Sequence, residues 1–256
     1  MMPADRPGPP VGRSGLRDRL AGEWWHRSWN ARRRWHRYEV RGIEHFDAVG
    51  PALLVGYHGR PVAHDLCMLQ EWLRERDGTI THAIMHAGMA EVPVMRRVIP
   101  AAGFLLGDGP GVAEAFARGR KVFVTPGAVR EGARRWDVRY KVDWGGRFGW
   151  LRLAIQHRVP VIPAAGWGVD DTYYGLNDAV ANPRPVKAFG GLPVWVGVGP
   201  LGVWPFSPPW PVKITTVLAP PFTRHLEATP DPGDKAALRA LASEVEAVVQ
   251  GLLDAR

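Results

Sequence analysis

The sequence predicts an α/β fold in which a single domain holds a mostly parallel sheet flanked by helices. Two observations lead to this prediction. Short apolar runs of strand length recur along the chain, and segments with apolar residues at helical spacing lie between them. Of the 256 residues, 46% are hydrophobic and 23% are charged, which is the balance of a globular chain with a sizeable core. Strands that alternate with helices are joined by crossovers, and crossovers make a sheet largely parallel.

Composition divides the chain into an arm, residues 1–39, and the α/β domain, residues 40–256. In the domain the pattern predicts strands at 52–57, 81–87, 121–127, 159–167 and 212–222, and helices at 61–76, 92–103, 110–119, 147–158 and 234–256. Pro61 suits the first turn of its helix, and Gly119 suits the end of another. No internal repeat interrupts this order.

The arm is basic and rich in tryptophan. Residues 1–13 predict a disordered start, whereas residues 16–37 contain four tryptophans and seven arginines at spacings that favour a helix, although Gly22 weakens it. This mixture is typical of an interfacial helix on an anionic bilayer. It also fits a basic helix that packs on its own domain. The net charge of +8 and the 12 tryptophans favour a lipid partner, and no recognised nucleic-acid-binding module accompanies the charge.

Several classes of protein are excluded or disfavoured. None of the four serines lies in a Gly-x-Ser-x-Gly elbow, so a serine hydrolase is not expected. The single cysteine, Cys67, excludes an internal disulfide and is expected in the core. The sequence has no Walker loop, and we predict no metal site and no cofactor. The chain has no long apolar run and no secretory signal, so we expect a cytoplasmic protein without a transmembrane helix.

Polar residues follow the first predicted strand. His58 comes directly after it, and Asp65 lies seven residues later, in the predicted helix at 61–76. Active groups in such sheets collect at the carboxyl ends of strands. A histidine oriented by a carboxylate can act as a general base, so His58 and Asp65 are candidates for such a pair. His64 competes as the partner or as the base, and an ordinary loop histidine before an ordinary helix is the alternative.

A second polar turn follows the strand at 121–127. It contains Gly127, Arg130 and Glu131. Main-chain amides in a glycine-containing turn, together with an arginine fork, suit a phosphate or another oxyanion. A plain turn is the alternative.

Four motifs in the right order resemble the glycerolipid acyltransferase family, which includes lysophosphatidic acid acyltransferases, and most of all its diacylglycerol acyltransferase-related branch. The resemblance covers residues 40–225. The motifs are Tyr57-His58-Gly59, Pro126-Gly127-Ala128-Val129-Arg130-Glu131, Arg147-Phe148-Gly149-Trp150 and Pro160-Val161-Ile162-Pro163.

The resemblance implies acyl transfer from a thioester, acyl-coenzyme A or acyl-carrier protein, to a hydroxyl of a lysophospholipid or glycerolipid. His58 would take the hydroxyl proton and Asp65 would orient it. Arg130 and the turn at Gly127 would hold a phosphate, and Glu131 would brace the turn. The thioester would be a co-substrate. The protein would then sit on the cytoplasmic face of an anionic membrane.

The chain departs from the family pattern at two points. Six residues separate His58 from Asp65, where the family usually has four, and Ala128 replaces the second glycine of the Pro-Gly-Gly motif. A non-catalytic lipid-binding protein on the same scaffold is therefore the alternative.

The apolar, proline-rich segment at 189–211 cannot be a regular helix throughout. We interpret it as a lid or a membrane-facing loop, with a surface loop packed on the core as the alternative.

Overall fold

The computed structural model describes residues 16–91, 95–107, 109–181, 193–228, 230–231 and 233–256. It confirms the α/β prediction, because a mostly parallel sheet of seven strands is flanked by helices. The predicted disordered start at 1–13 and the first part of the segment at 189–211 lie outside the described residues. Among the helices that the structure describes, none is both long and apolar enough to cross a membrane.

The strands form two sheets. They are β1 (Glu39–Arg41), β2 (Leu53–Gly56), β3 (His82–Met85), β4 (Phe104–Leu106), β5 (Val122–Val124), β6 (Val161–Trp167), β7 (Tyr174–Gly175), β8 (Gly197–Gly199), β9 (Gly202–Val203) and β10 (Thr215–Leu218). The main sheet has the order β1-β10-β6-β2-β5-β3-β4, and a small antiparallel sheet has the order β7-β8-β9. In the main sheet β10 runs antiparallel to β6, while the five strands from β6 to β4 are parallel.

The helices flank both faces of the main sheet. They are α1 (Leu16–Trp35), α2 (Ile43–Asp47), α3 (His64–Asp77), α4 (Met95–Ala101), α5 (Pro110–Ala117), α6 (Val129–Gly132), α7 (Gly149–His157), α8 (Arg224–Ala228) and α9 (Lys235–Asp254). Side chains alternate along the buried strand β2: Val55 joins one core cluster with Val245 of α9, and Leu54 joins the other with Leu69 of α3.

Helix α3 begins later than the sequence predicts. The predicted start was Pro61, but the first helical residue is His64, and the Cys67 amide makes the first helical hydrogen bond, to the Ala63 carbonyl (3.1 Å). The residues before His64 form a turn after β2. Asp65 is therefore in the first turn of the helix, one residue after its start.

Helix α1 packs on the domain through one of its faces. Trp25 and Trp29 are buried in the larger core cluster, where the Trp25 ring lies 5.2 Å from the ring of Phe104. Gly22 has a packing role, since a Cβ there would come within 3.1 Å of the Ala101 Cβ on α4. The opposite face, which includes Trp24, is exposed.

Candidate active site

The carboxyl ends of β2 and β5 lie side by side, and this brings the two predicted polar turns together. The two strands pair in parallel, with Val55 opposite Val124. The main-chain amide of His58, just after β2, donates a hydrogen bond of 2.9 Å to Oε2 of Glu131, which follows β5. The sequence-predicted residues His58 and Glu131 therefore belong to one site.

The His58 ring is held by main-chain atoms. Its Nδ1 lies 2.9 Å from the Gly59 carbonyl oxygen, and because a carbonyl can only accept, Nδ1 carries the proton and Nε2 is the basic nitrogen. The ring packs on Gly132, where a Cβ would come within 2.7 Å of Nδ1. Burial lowers the pKa of His58 below its usual range, so the ring is neutral at neutral pH and able to accept a proton.

Asp65 is not hydrogen-bonded to His58. Its side chain is 1% exposed, and neither carboxyl oxygen has a hydrogen-bond partner within the described part of the chain. The carboxyl group lies against Gly166 of β6, where a Cβ would approach Oδ2 to 2.5 Å. Burial raises the pKa of Asp65 to about 7. The structure thus brings Asp65 into the core beside the site without joining it to the histidine.

His64 points into a different environment. Its Nδ1 bonds to the Val62 carbonyl (2.9 Å), and its ring packs against the ring of Trp29 with centroids 5.5 Å apart. Burial lowers the pKa of His64 to about 3, so a charged His64 is strongly disfavoured.

The loop that carries His58 is fixed by Asp170, a residue that our sequence reasoning missed. Asp170 is fully buried in the 3-10 turn Val169–Asp171, just after β6. Its carboxylate accepts hydrogen bonds from the Tyr57 hydroxyl (2.6 Å) and from the main-chain amides of Arg60 (3.1 Å) and Tyr140 (2.7 Å). Asp170 therefore bonds to Tyr57, the residue before His58, and to Arg60, the second residue after it. A carboxylate soon after the predicted strand at 159–167 was the signal that could have identified it.

Two buried arginines complete this network. The Arg60 Nε lies 3.5 Å from Oδ1 of Asp170, and its Nη2 donates to the Asp170 main-chain oxygen (2.7 Å). Arg134 donates from Nη2 to the Tyr57 hydroxyl (2.9 Å). Two guanidinium groups therefore lie against the residues that flank His58, and the charge of Arg60 is balanced by Asp170.

Glu131 braces the second turn. Besides the His58 amide, it accepts a hydrogen bond from the Asp143 amide (2.9 Å), and burial raises its pKa to about 8. Gly127 allows this arrangement, since a Cβ at that position would overlap with the Glu131 carboxyl group. The bracing role that the resemblance implied for Glu131 matches these contacts.

Arg130 already has an anionic partner in this structure. Its guanidinium forms a fork with the Asp143 carboxylate through contacts of 2.9–3.2 Å, and both side chains are a little over one third exposed. The guanidinium is thus oriented to bind a carboxylate or a phosphate through two donors, and it lies at the partly exposed rim of the site.

Ala128 adopts an unusual backbone conformation. Its φ of 45° and ψ of −126° are those of the first central residue of a type II′ turn, and the Arg130 amide closes that turn on the Gly127 carbonyl (2.9 Å). This position favours glycine, the residue found in the family motif.

Comparison with known proteins shows distant relatives over most of the chain. No family model matches it. A Bos taurus protein named "DGAT1/2-independent enzyme synthesizing storage lipids" is 25% identical over 224 residues, which cover 86% of this chain and 60% of that protein. The Homo sapiens protein of the same name is 26% identical over 224 residues, covering 86% of this chain and 62% of that protein. An uncharacterized protein of Mycobacterium leprae is 26% identical over 226 residues, covering 86% of this chain and 60% of that protein. The chain therefore spans about three fifths of the length of these relatives.

Proposed function

We propose that this protein is an acyltransferase that moves a fatty acyl group from acyl-coenzyme A or acyl-carrier protein to a hydroxyl of a lysophospholipid or glycerolipid. The observation that carries the proposal is the neutral His58, with Nδ1 tied to its own turn, set beside the Glu131-braced turn at the carboxyl edge of the sheet. The relatives named as enzymes synthesizing storage lipids support the same class of reaction.

In the proposed reaction, Nε2 of His58 takes the proton of the acceptor hydroxyl while the hydroxyl oxygen attacks the thioester carbonyl carbon. The tetrahedral intermediate then collapses, the carbon–sulfur bond breaks, and the thiolate takes the proton from the imidazolium. No acyl-enzyme forms, so no nucleophilic serine is required. The guanidinium of Arg134, which bonds to Tyr57, is proposed to favour the negative charge that develops on the acyl oxygen, whereas the charge of Arg60 is balanced by Asp170.

Asp65 is proposed to pair with His58 during turnover rather than in the resting state. A buried carboxyl group without a hydrogen-bond partner is unfavourable, so it gains free energy when a partner reaches it. Nδ1 of His58 would leave the Gly59 carbonyl to become that partner. Catalytic hydrogen bonds often tighten only when substrate is bound.

Arg130 is proposed to bind a phosphate of the acceptor or of coenzyme A in exchange for Asp143. Their fork is partly exposed, so a phosphate can compete for the guanidinium. We further propose a peripheral location on the cytoplasmic face of an anionic membrane. The proposal includes no nucleic acid and no cofactor, and the thioester is a co-substrate.

The test is thiol release from a long-chain acyl-coenzyme A, or from an acyl-carrier protein thioester, by the purified protein. The acceptors are a panel of lysophospholipids, monoacylglycerols and diacylglycerols in detergent. We expect acceptor-dependent release that His58→Ala abolishes and that His86→Ala, a change at an exposed histidine, leaves intact. The Asp65→Asn variant tests whether Asp65 pairs with His58 during turnover, since a catalytic pair predicts a loss of at least about tenfold in kcat.

A non-catalytic lipid-binding protein is the second candidate. The missing hydrogen bond between His58 and Asp65 favours it. Retention of acyl chains without thiol release from any donor or acceptor would identify this protein as the binding scaffold.

A further inference from the structure

The small sheet presents an apolar hairpin to solvent. We define the apolar hairpin as residues 197–206, which contain β8, β9 and the turns that follow them. At its tip Leu201 is 80% exposed, Phe206 is 90% exposed and Val203 is about half exposed. None of residues 193–212 is charged. Clustered, exposed apolar side chains of this kind mark an interaction site.

Hydrogen bonds hold the tip in this conformation. The Leu201 amide donates to the Ser207 hydroxyl (3.0 Å), and the Phe206 amide donates to the Val203 carbonyl (2.9 Å). The Trp204 amide donates to the Gly197 carbonyl (2.8 Å). The apolar side chains are thus held outward by an ordered turn.

The chain just after the hairpin is bound by an aromatic and a basic side chain from the end of α1 and the residues that follow it. The Trp35 indole nitrogen donates to the Pro209 carbonyl (3.0 Å), and the Arg37 guanidinium donates to the Pro211 carbonyl (3.1 Å). An uncharged apolar tip followed along the chain by contacts with a tryptophan and an arginine has the composition of a protein segment at a bilayer surface. The tip would meet acyl chains, and these two side chains would meet the anionic headgroups.

We propose that the apolar hairpin inserts into the surface of an anionic bilayer and is the main membrane contact of the protein. This inference rests on the peripheral membrane location in the proposed function. It assigns the membrane contact to the hairpin, whereas the sequence favoured the tryptophans of the arm. Trp25 and Trp29 are buried in the core and unavailable to lipid, so only two of the four tryptophans of the arm, Trp24 and Trp35, remain exposed. A second protein is a poorer occupant, because three protruding side chains offer a few hundred Å², whereas a stable interface buries about 800 Å² per partner.

The hairpin is also connected to the His58 site. The Trp195 indole, just before β8, donates to the Arg134 carbonyl (3.0 Å), and Arg134 in turn bonds to Tyr57, the neighbour of His58. Two hydrogen bonds therefore link the segment just before the hairpin to the loop that carries His58.

The experiment measures co-sedimentation of the full chain with vesicles of phosphatidylcholine containing phosphatidylglycerol. The test variant is Leu201→Ser with Phe206→Ser, and the matched control is Leu16→Ser with Leu20→Ser on the exposed face of α1. Burial of two large apolar side chains predicts that the hairpin variant loses at least about tenfold in partition coefficient. The α1 variant should keep most of its binding. Circular dichroism and thermal melting confirm that both variants are folded.

A probe at the tip gives a second readout. Cys67 is buried, so an environment-sensitive fluorophore attached at Phe206→Cys reports on the hairpin, and the same label at Val248→Cys on α9 is the control. We expect a blue shift with vesicles only for the label at position 206. Neither experiment needs turnover, so this proposal and the proposed activity can fail separately.

Three results would overturn the inference. The first is unchanged vesicle binding by the hairpin variant, and the second is absence of binding by the unmodified protein. The third is a hairpin variant that loses self-association in analytical ultracentrifugation while it keeps its vesicle binding, because the tip would then contact a second copy of the chain.

Discussion

The acidic residues around His58 differ in their surroundings, and those surroundings predict different consequences of substitution. Asp170 is fully buried with three hydrogen-bond donors and a guanidinium, whereas its neighbour Asp171 is about one third exposed. Asp65 is buried without a partner. None of these contacts could be read from the sequence, because the partners of Asp170 lie 30 to 113 positions away along the chain and Asp65 has no partner to infer.

We predict that Asp170→Asn lowers the free energy of unfolding by about 3 kcal/mol, because it leaves the buried Arg60 without its counter-charge. Asp171→Asn, which affects a partly exposed ion pair with Arg139, should lower it by less than about 1 kcal/mol. Urea denaturation of the two variants measures both values. Equal losses would show that Asp170 has no special role in holding the His58 loop.

We predict that Asp65→Asn changes the pH dependence of stability. The folded-state pKa of about 7 lies above the usual 3.8, so the folded state holds a proton that the unfolded state releases between these values. Wild-type stability therefore falls as pH rises from about 4 to about 7, by up to roughly 4 kcal/mol from this group. The variant lacks this pH-dependent loss. Its free energy of unfolding should therefore equal that of the wild type near pH 4 and exceed it at pH 8. Urea midpoints at the two pH values test the prediction, and an equal difference at both would contradict it.

At the scale of elements, the sequence predicted the long helices and buried strands but not the shortest ones. The strand at 159–167 and the helix at 234–256 appear as β6 and α9, since the first is a continuous apolar run of strand length and the second has apolar residues at helical spacing. Strand β4 and the small sheet were missed, because strands of two or three residues among glycines and prolines carry no period. The sequence placed His58 and Glu131 after predicted strands, whose carboxyl ends collect active groups, but it did not show that β2 and β5 are neighbours or that Asp170 bonds to the His58 loop.

We predict that Ala128→Gly stabilises the protein by about 0.5–1 kcal/mol, because glycine adopts this type II′ position without strain. Ala133→Gly is the control: its φ of −119° is ordinary, so glycine there should be destabilising. Thermal melting of both variants decides the matter, and a loss of stability on Ala128→Gly would mean that the turn holds alanine without strain.

At the scale of the whole molecule, the tryptophan-rich segment belongs to the same core as the α/β domain. The composition of residues 16–37 left two interpretations open, because tryptophan spacing alone does not say which ring faces inward. In the structure Trp25 and Trp29 face the core while Trp24 faces solvent.

We predict that Trp29→Ala lowers the free energy of unfolding by about 3 kcal/mol or more, as expected for a large cavity in the core. Trp24→Ala on the exposed face should change it by no more than about 0.5 kcal/mol. Denaturant titration, monitored by circular dichroism, measures the free energy of unfolding of both variants. If Trp29→Ala were neutral, α1 would be an independent arm after all.

The order of strands in the main sheet has a consequence for synthesis on the ribosome. Strand β1 pairs with β10, so Glu39 lies opposite Thr215, and β10 also covers the edge of β6. A nascent chain therefore exposes the β6 edge until β10 has left the exit tunnel, and β1 has no partner strand until that moment. Pairing over so long a separation closes slowly. Ribosome-bound chains that stop before residue 215 should thus be the forms most dependent on chaperones.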